Sequence, residues 1–343
     1  MNTYDPADLQ KKPKTDKGKK EKKDKKVPNY GFIMFLVLMV FLLGVCIIES
    51  TDFKQITVSG GEKPSTAYVG VLEIHGTMAD DGSDTAYNQQ WLLEQIDNMI
   101  QDPNNKGLML SIDTPGGSVY AVDELYLKIK TYQEKTLRPV YAYMESMAAS
   151  GGYYVAAPAD MIYANRNCWT GSIGVTIGTI YDISEFLENL GVTTVTITAG
   201  DNKAMGSATE KLTTEQKAIY QGLVDEAYDQ FVDIVADGRN MSRKRAEGLA
   251  DGRVYTAKQA KVNGLIDEIA TREEALNAMM KENGLESCQS RVLTYEPEFS
   301  LSSWMFGLAE RVGQSTTNEY DQIVKLMMEN NKFTVSYLSQ VTK

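Results

Sequence analysis

Residues 140–154 read VYAYMESMAASGGYY, and this stretch passes from a strand pattern into a helix start through a run of small residues. Val140–Met144 is apolar and rich in residues that favour strands, whereas Ser150 is followed directly by two glycines. Short strands that alternate with helices are typical of α/β proteins with a largely parallel sheet. The stretch therefore predicts that Ser150 lies where a strand of such a sheet gives way to a helix.

The same alternation continues on both sides of this stretch. Further runs have strand character, namely Tyr68–His75, Gly107–Ile112, Met161–Ala164 and Val192–Ile197. Between the first three strands, Gln89–Ile100 and Val119–Tyr132 carry the apolar spacing of helices. Together these segments predict an α/β fold that begins near residue 66.

Capping signals predict two later helices. Thr213 is followed three residues on by Gln216, which forms a capping-box pattern. The helix that follows, over 215–237, ends near Gly238 and has one apolar face, formed by Tyr220, Val224, Tyr228, Phe231 and Val235. Thr256 and Gln259 repeat the pattern, and Gly264 provides a stop. Residues 296–343 form a C-terminal extension, in which we expect one helix over Asn318–Asn331 and then a loose tail.

The N-terminal part has the pattern of a membrane anchor. Gly31–Ile48 holds 18 residues without a charge, which as a helix would span about 27 Å of the roughly 30 Å hydrocarbon core. Ten lysines precede it within residues 1–30. The positive-inside bias then predicts a basic cytoplasmic tail (1–28), a transmembrane anchor (29–49), a linker (50–65) and an extracytoplasmic body. A cleaved signal peptide or a lipid-modified Cys46 is the alternative, and the absence of a small-x-small site after Ile48 favours the uncleaved anchor.

Charge and cysteine usage exclude several function classes. The net charge is −11 although the first 30 residues are basic, so the main body is acidic and unsuited to nucleic acid. The chain has one histidine and three cysteines without ligand spacing, so we expect neither a metal nor another cofactor. Cys168 and Cys288 are expected to be free thiols, although their pairing stays open.

Two glycine-containing segments could carry chemistry. The turn Asp113–Gly117 follows a predicted strand, and its glycines allow free N–H groups to point at a developing negative charge. Ser150 leads into a helix with small neighbours, as a nucleophile would require. The ordinary alternatives are a tight turn for the first segment and a simple helix N-cap for Ser150.

A nucleophilic serine needs a base, and the chain offers two kinds. His75 is the only histidine, and it lies in an alternating strand pattern where a structural role is ordinary. Lys203 follows the run Val192–Ile197 and could serve if burial lowered its pKa from a reference value near 10.4. Taken alone, Lys203 is an ordinary solvated turn lysine, so spacing leaves both bases open.

Several motifs in fixed order resemble the signal peptide peptidase A family, serine peptidase family S49, within the Clp protease/crotonase-like superfamily. They cover roughly residues 66–295. The motifs are VLEIHG (71–76), PGG (115–117), SMAASGGYY (146–154), TGSIGV (170–175), GDNK (200–203), DGRVYTAKQA (251–260) and GLID (264–267). The resemblance implies a fold of repeated strand–strand–helix units, preceded by one transmembrane helix.

The resemblance also implies roles for particular residues. Ser150 would be the nucleophile and Lys203 the general base, with Ser172 orienting the lysine. The N–H groups of Gly117 and Gly151 would form the oxyanion hole. Family members assemble as dome-like homo-oligomeric rings in which the serine and the lysine of one site come from neighbouring chains.

The expected function is thus a membrane-anchored serine endopeptidase that degrades remnant signal peptides and other small hydrophobic peptides outside the cytoplasm. Two alternatives stand beside this expectation. A crotonase-like acyl-CoA enzyme would be expected to be cytoplasmic, unlike a chain with a membrane segment. A catalytically inactive membrane scaffold would be expected to lack Ser150 or Lys203, and both are present.

Overall fold

A computed structural model of the chain describes residues 66–82, 84–297 and 335–339. All of them belong to the second of two compact units, Lys63–Lys343. The strands are β1 Tyr68–His75, β2 Asn105–Thr114, β3 Gly116–Ser118, β4 Val140–Ala149, β5 Met161–Ala164, β6 Trp169–Gly171, β7 Val254–Thr256, β8 Glu268–Ile269, β9 Gln289–Leu293 and β10 Ser336–Leu338. The helices are α1 Gln89–Gln101, α2 Val119–Thr136, α3 Gly151–Ala156, α4 Ser184–Asn189, α5 Thr214–Gly238, α6 Arg243–Glu247, α7 Ala257–Asn263 and α8 Arg272–Glu282.

Eight of the strands form one mixed sheet. Its order is β7-β6-β4-β2-β1-β9, with β5 pairing with β4 and β8. Its pairings are parallel, except that β6 and β7 run antiparallel. The prediction of an α/β fold with a largely parallel sheet is confirmed. A separate antiparallel pair joins β3 to β10.

The two faces of the sheet carry different cores, because successive strand residues point to opposite sides. Leu72, Leu110 and Met144 belong to the larger core, to which α1, α2, α3 and α5 contribute buried side chains. Val71, Met109 and Tyr143 belong to the smaller core on the second face, together with Ala275 and Met279 of α8. The larger core is the one that supports the helix following Ser150.

Helix ends form where the sequence signals place them. Thr213 with Gln216, and Thr256 with Gln259, both make complete capping boxes. Gly264 ends α7 in the left-handed conformation, with φ of 80°. The predictions for these two helices are confirmed, because capping depends on residues only three apart in sequence.

Two sequence predictions are wrong. Val192–Ile197 is not a strand in the described chain, and its side chains are largely exposed, with Ile197 at 92 %. This β-branched run has no neighbouring strand to complete its hydrogen bonds, so propensity alone does not make it one. The residues expected to form a loose tail include β10, which is paired.

Other predictions fall outside the described residues, among them the basic tail, the anchor (29–49), the linker and the helix Asn318–Asn331. Across 66–82, 84–297 and 335–339, every helix is too short or too polar to cross a membrane.

Candidate active site

Ser150 lies at the junction between β4 and α3 in an unusual backbone conformation. Its φ of 53° and ψ of −114° fall in a region that residues with a side chain seldom adopt. Its N–H donates to the carbonyl of Gly171 over 2.7 Å, and the residue is only 1 % exposed. Within the described chain, its hydroxyl makes no capping hydrogen bond to α3. The alternative of a simple N-cap is therefore wrong.

The glycine turn before α2 brings several backbone segments close together. Gly116 has φ of 102°, and its N–H donates to the Thr114 hydroxyl over 3.0 Å. A Cβ atom on Gly117 would lie 1.8 Å from the carbonyl oxygen of Met78, so a side chain has no room there. A Cβ atom on Gly151 would lie 3.3 Å from the backbone nitrogen of Gly117. The turn and the start of α3 are thus in contact.

The C-terminal strand β10 lies along β3 beside this turn. Ser339 N–H donates to Pro115 O over 2.8 Å, and Val119 N–H donates to Val335 O over 3.1 Å. Hydrogen-bonded pairs alternate along an antiparallel ladder, so this register makes Gly117 and Tyr337 such a pair. A Cβ atom placed on Gly116 would lie 1.8 Å from the carbonyl oxygen of Tyr337 and 2.7 Å from the backbone nitrogen of Gly151. The Tyr337 carbonyl therefore occupies the corner between the turn and α3.

The other edge of β10 is also occupied. Ser336 and Thr176 exchange backbone hydrogen bonds of 2.8 and 3.1 Å. Five residues of the C-terminal region thus run in extended form between two backbone segments, next to the strand-to-helix junction. Such a groove binds main chain through hydrogen bonds and selects side chains through pockets.

One such pocket holds the side chain of Tyr337, which is completely buried. Its ring centroid lies 4.8 Å from that of Tyr154 and 4.9 Å from that of Phe231. Its hydroxyl donates to the Ala227 carbonyl over 3.0 Å. The pocket therefore accepts an aromatic side chain and has an acceptor for its polar end.

A cavity of about 390 Å³ opens next to Ser150. Ser150, Ser172, Leu338 and Ser339 are among the residues that line it. Ser172 follows β6 with φ of 49°, and its N–H donates to Arg253 O over 2.8 Å. The structure thus brings together both serines that the sequence singled out.

Lys203 does not join them within the same chain. It is exposed in a turn closed by its own N–H and the Gly200 carbonyl, 3.1 Å apart, and it is absent from the described residues that line the cavity. It belongs to residues 177–212, here called the arm. The arm carries exposed apolar side chains, namely Phe186, Leu190, Val192, Val195 and Ile197.

His75 and Cys168 are not among the described residues that line the Ser150 cavity. The Nε2 atom of His75 lies 3.3 Å from Oε1 of Glu145, and this hydrogen bond is the main cause that raises the pKa of His75 and lowers that of Glu145. His75 therefore does not serve as the base for Ser150 within the described chain.

Cys168 is a free thiol whose pKa is raised to about 12 by burial, and Cys288 is also free. Cys168 is therefore a poor nucleophile.

Sequence reasoning missed the groove and its aromatic pocket. The hydroxyl of Thr114 donates to Gly76 O and accepts from Gly116 N–H. No sequence pattern predicted that Thr114 would hold the turn in this way. These features depend on contacts between residues far apart in sequence, such as Tyr337 and Gly117.

A family model and several related proteins match the chain. The family model described as peptidase family S49 matches residues 132–286. A putative signal peptide peptidase SppA of Enterococcus faecium is 36% identical over 74% of this chain and 75% of its own length. A putative protease of Methanocaldococcus jannaschii is 32% identical over 72% of this chain and 81% of its own.

Among solved structures, a mutant of ClpP1 from Listeria monocytogenes aligns with a TM-score of 0.41 and 14% identity, covering 60% of this chain and 94% of its own. In sequence, the two relatives each share at least 32% identity across three quarters or more of their own length. The chain belongs to peptidase family S49 and is a serine peptidase.

Proposed function

We propose that the chain cleaves peptide bonds with Ser150 as nucleophile and Lys203 as general base. The neutral amine of Lys203 takes the proton of Ser150 as its oxygen attacks the peptide carbonyl. Lys203 then gives the same proton to the leaving amine, which leaves the acyl group bound to Ser150 as an ester. Water hydrolyses this ester in a second step, again with Lys203 as the base. The N–H groups of Gly117 and Gly151 stabilise the negative charge on the carbonyl oxygen.

The observation that carries this proposal is the position of the Tyr337 carbonyl. A peptide carbonyl of the chain itself lies in the corner between Gly117 and Gly151, on an extended segment beside the buried Ser150. A substrate that pairs with β3 in the same way would present its own carbonyl to Ser150. The geometry supports a peptide as substrate better than a small soluble ester.

The location of Lys203 supports a shared site. Lys203 is exposed on an arm whose apolar side chains, such as Phe186 and Ile197, lack cover within the described chain. Several exposed apolar side chains within one short segment are consistent with an interaction surface. We infer that chains assemble into a closed homo-oligomeric ring in which the arm of one chain brings Lys203 to the Ser150 cavity of its neighbour. There Ser172, which lines that cavity, would orient the lysine.

The substrates that fit this proposal are remnant signal peptides and other small hydrophobic peptides. The name of the Enterococcus faecium relative supports this class. So does the aromatic pocket of Tyr154 and Phe231, which suits an apolar side chain. The uncharged run Gly31–Ile48 and the lysines before it support a single-pass anchor with the peptidase domain outside the cytoplasm.

The test is hydrolysis of a fluorogenic apolar peptide by the full-length chain in detergent. The Ser150→Ala chain should lose at least about a thousandfold in kcat/KM, as nucleophile deletions typically do. Ser146→Ala is the matched control, because Ser146 lies on the same strand and is exposed. If Ser150→Ala retained more than about a thousandth of the wild-type rate, Ser150 would not be the nucleophile.

A further inference from the structure

A second cluster of polar side chains lies on the opposite face of the sheet from the large core. Glu73, His75 and Glu145 each offer one ligand atom, and these atoms all lie within 4.8 Å of one another. His75 Nε2 and Glu145 Oε1 are 3.3 Å apart and share a hydrogen bond. One imidazole and two carboxylates within this distance match the donor types of a transition-metal site.

The three side chains converge because of the sheet order. Glu73 and His75 are two residues apart on β1, so they point to the same face. Glu145 lies on β4, which is separated from β1 by β2. Between them β2 contributes Ser111, the register partner of Glu73, and Asp113, the register partner of His75. The cluster therefore spans three neighbouring strands at their carboxyl ends.

Both carboxylates are held by further groups. The Ser111 hydroxyl donates to Glu145 Oε1 over 2.7 Å. The Thr294 hydroxyl donates to Glu73 Oε2 over 2.6 Å, and Arg272 Nη1 lies 2.9 Å from Glu73 Oε1. Hydrogen bonds of this kind fix the orientation of metal ligands and tune their affinity. The carboxylates are thus oriented before any ion binds.

The charges of the cluster favour a cation. Glu73 and Glu145 bring two negative charges, and Arg272 brings one positive charge. With His75 neutral, as a ligand must be, the three ligand side chains and Arg272 together carry a net charge of −1. This charge attracts a cation and disfavours an anion.

The cluster is partly buried but accessible. The side chains of Glu73, His75 and Glu145 are 12%, 34% and 27% exposed. A cavity of about 440 Å³ reaches Glu145 of the cluster and is lined also by Tyr143, Ser146, Asn165, Asn167 and Arg272. It gives solvent access to the Glu145 side of the cluster.

We propose that Glu73, His75 and Glu145 bind one divalent first-row transition-metal ion, with zinc the best match to this donor set. The imidazole disfavours magnesium and calcium, which prefer oxygen ligands alone. The ion would join β1 to β4, the strand that ends beside Ser150, and would stabilise the folded chain. This site departs from the expectation of no metal, which rested on sequence spacing, and it is independent of the peptidase reaction.

The test is zinc binding by the full-length chain after treatment with a chelator, measured by equilibrium dialysis and metal analysis. We expect one zinc ion per chain. His75→Gln and Glu145→Gln should each weaken zinc binding at least about tenfold, because each variant loses a ligand atom. Glu94→Gln, which removes an exposed carboxylate on α1, should leave zinc affinity unchanged. The Ser150→Ala chain should bind zinc like the wild type, so the outcome does not depend on the proposed catalytic role.

A second readout is the absorption spectrum of the chain loaded with cobalt, in which an imidazole ligand and low coordination number give visible bands. These bands should disappear in His75→Gln, and zinc should raise the thermal unfolding midpoint of the wild type but not of this variant. Failure of the wild-type chain to bind zinc would overturn the proposal. So would zinc affinity that is the same in His75→Gln, Glu145→Gln and the wild type. Circular dichroism of each variant shows whether it is folded.

Discussion

Tyr337 pairs with Gly117 across the antiparallel ladder between β10 and β3, so the C-terminal region of the chain lies in the groove proposed for substrate. A tethered segment competes at an effective concentration on the order of millimolar. A chain that ends at residue 334 should therefore hydrolyse short apolar peptides several-fold faster at low substrate concentration, with the gain mainly in KM.

The matched control is a chain that ends at residue 339, which keeps β10 and loses only the last four residues. Its kcat/KM should equal that of the full-length chain. Equal values for the chains that end at 334 and 339 would show that β10 does not compete with substrate.

Replacement of Lys203 tests the proposed base. Lys203→Met should reduce kcat by about a thousandfold or more, because no amine would accept the Ser150 proton. Lys211→Met removes another exposed lysine of the same arm and should have little effect. In the wild type, kcat/KM should rise with pH, since only the neutral amine is a base. A rate that falls between pH 7 and 9 while the protein stays folded would contradict this assignment.

A mixing experiment tests whether the site is shared between chains. Ser150→Ala and Lys203→Ala chains, each inactive, should regain part of the activity when refolded together. Some contacts in a mixed ring would pair an intact Ser150 with an intact Lys203. If tagged chains co-purify and the mixture stays inactive, Lys203 must serve the serine of its own chain.

Two glycine replacements should have opposite effects on stability. Gly117→Ala would place a Cβ atom 1.8 Å from Met78 O, so we expect a loss of about 1–3 kcal/mol in the free energy of unfolding. Gly222 lies inside α5 with no atom within 4 Å of an added Cβ. Gly222→Ala should therefore add roughly 0.5–1 kcal/mol through helix propensity. Urea titration of both variants measures these changes.

The sequence allowed prediction of those features that depend on neighbouring residues. The strand–helix alternation around Ser150 and the capping box at Thr213 were recognisable, because their signals lie within a few positions. The run Val192–Ile197 led to a wrong strand prediction, because a strand also needs a neighbouring strand, which local sequence does not reveal. Tyr337 and Gly117 are paired across 220 positions, and Glu145 meets His75 across 70. Pairings at such range follow from the sheet order.

The positive φ of Ser150 lowers the stability of the folded chain at the residue proposed as nucleophile. Backbone strain of this kind costs roughly 1–3 kcal/mol in a residue with a side chain and little in glycine. A Ser150→Gly chain should thus outlast the active enzyme on heating, and Ser150→Ala, which keeps the strain, should not. Selection for thermal tolerance alone would discard the nucleophile, so thermostable variants of this enzyme have to be screened for turnover as well as for survival.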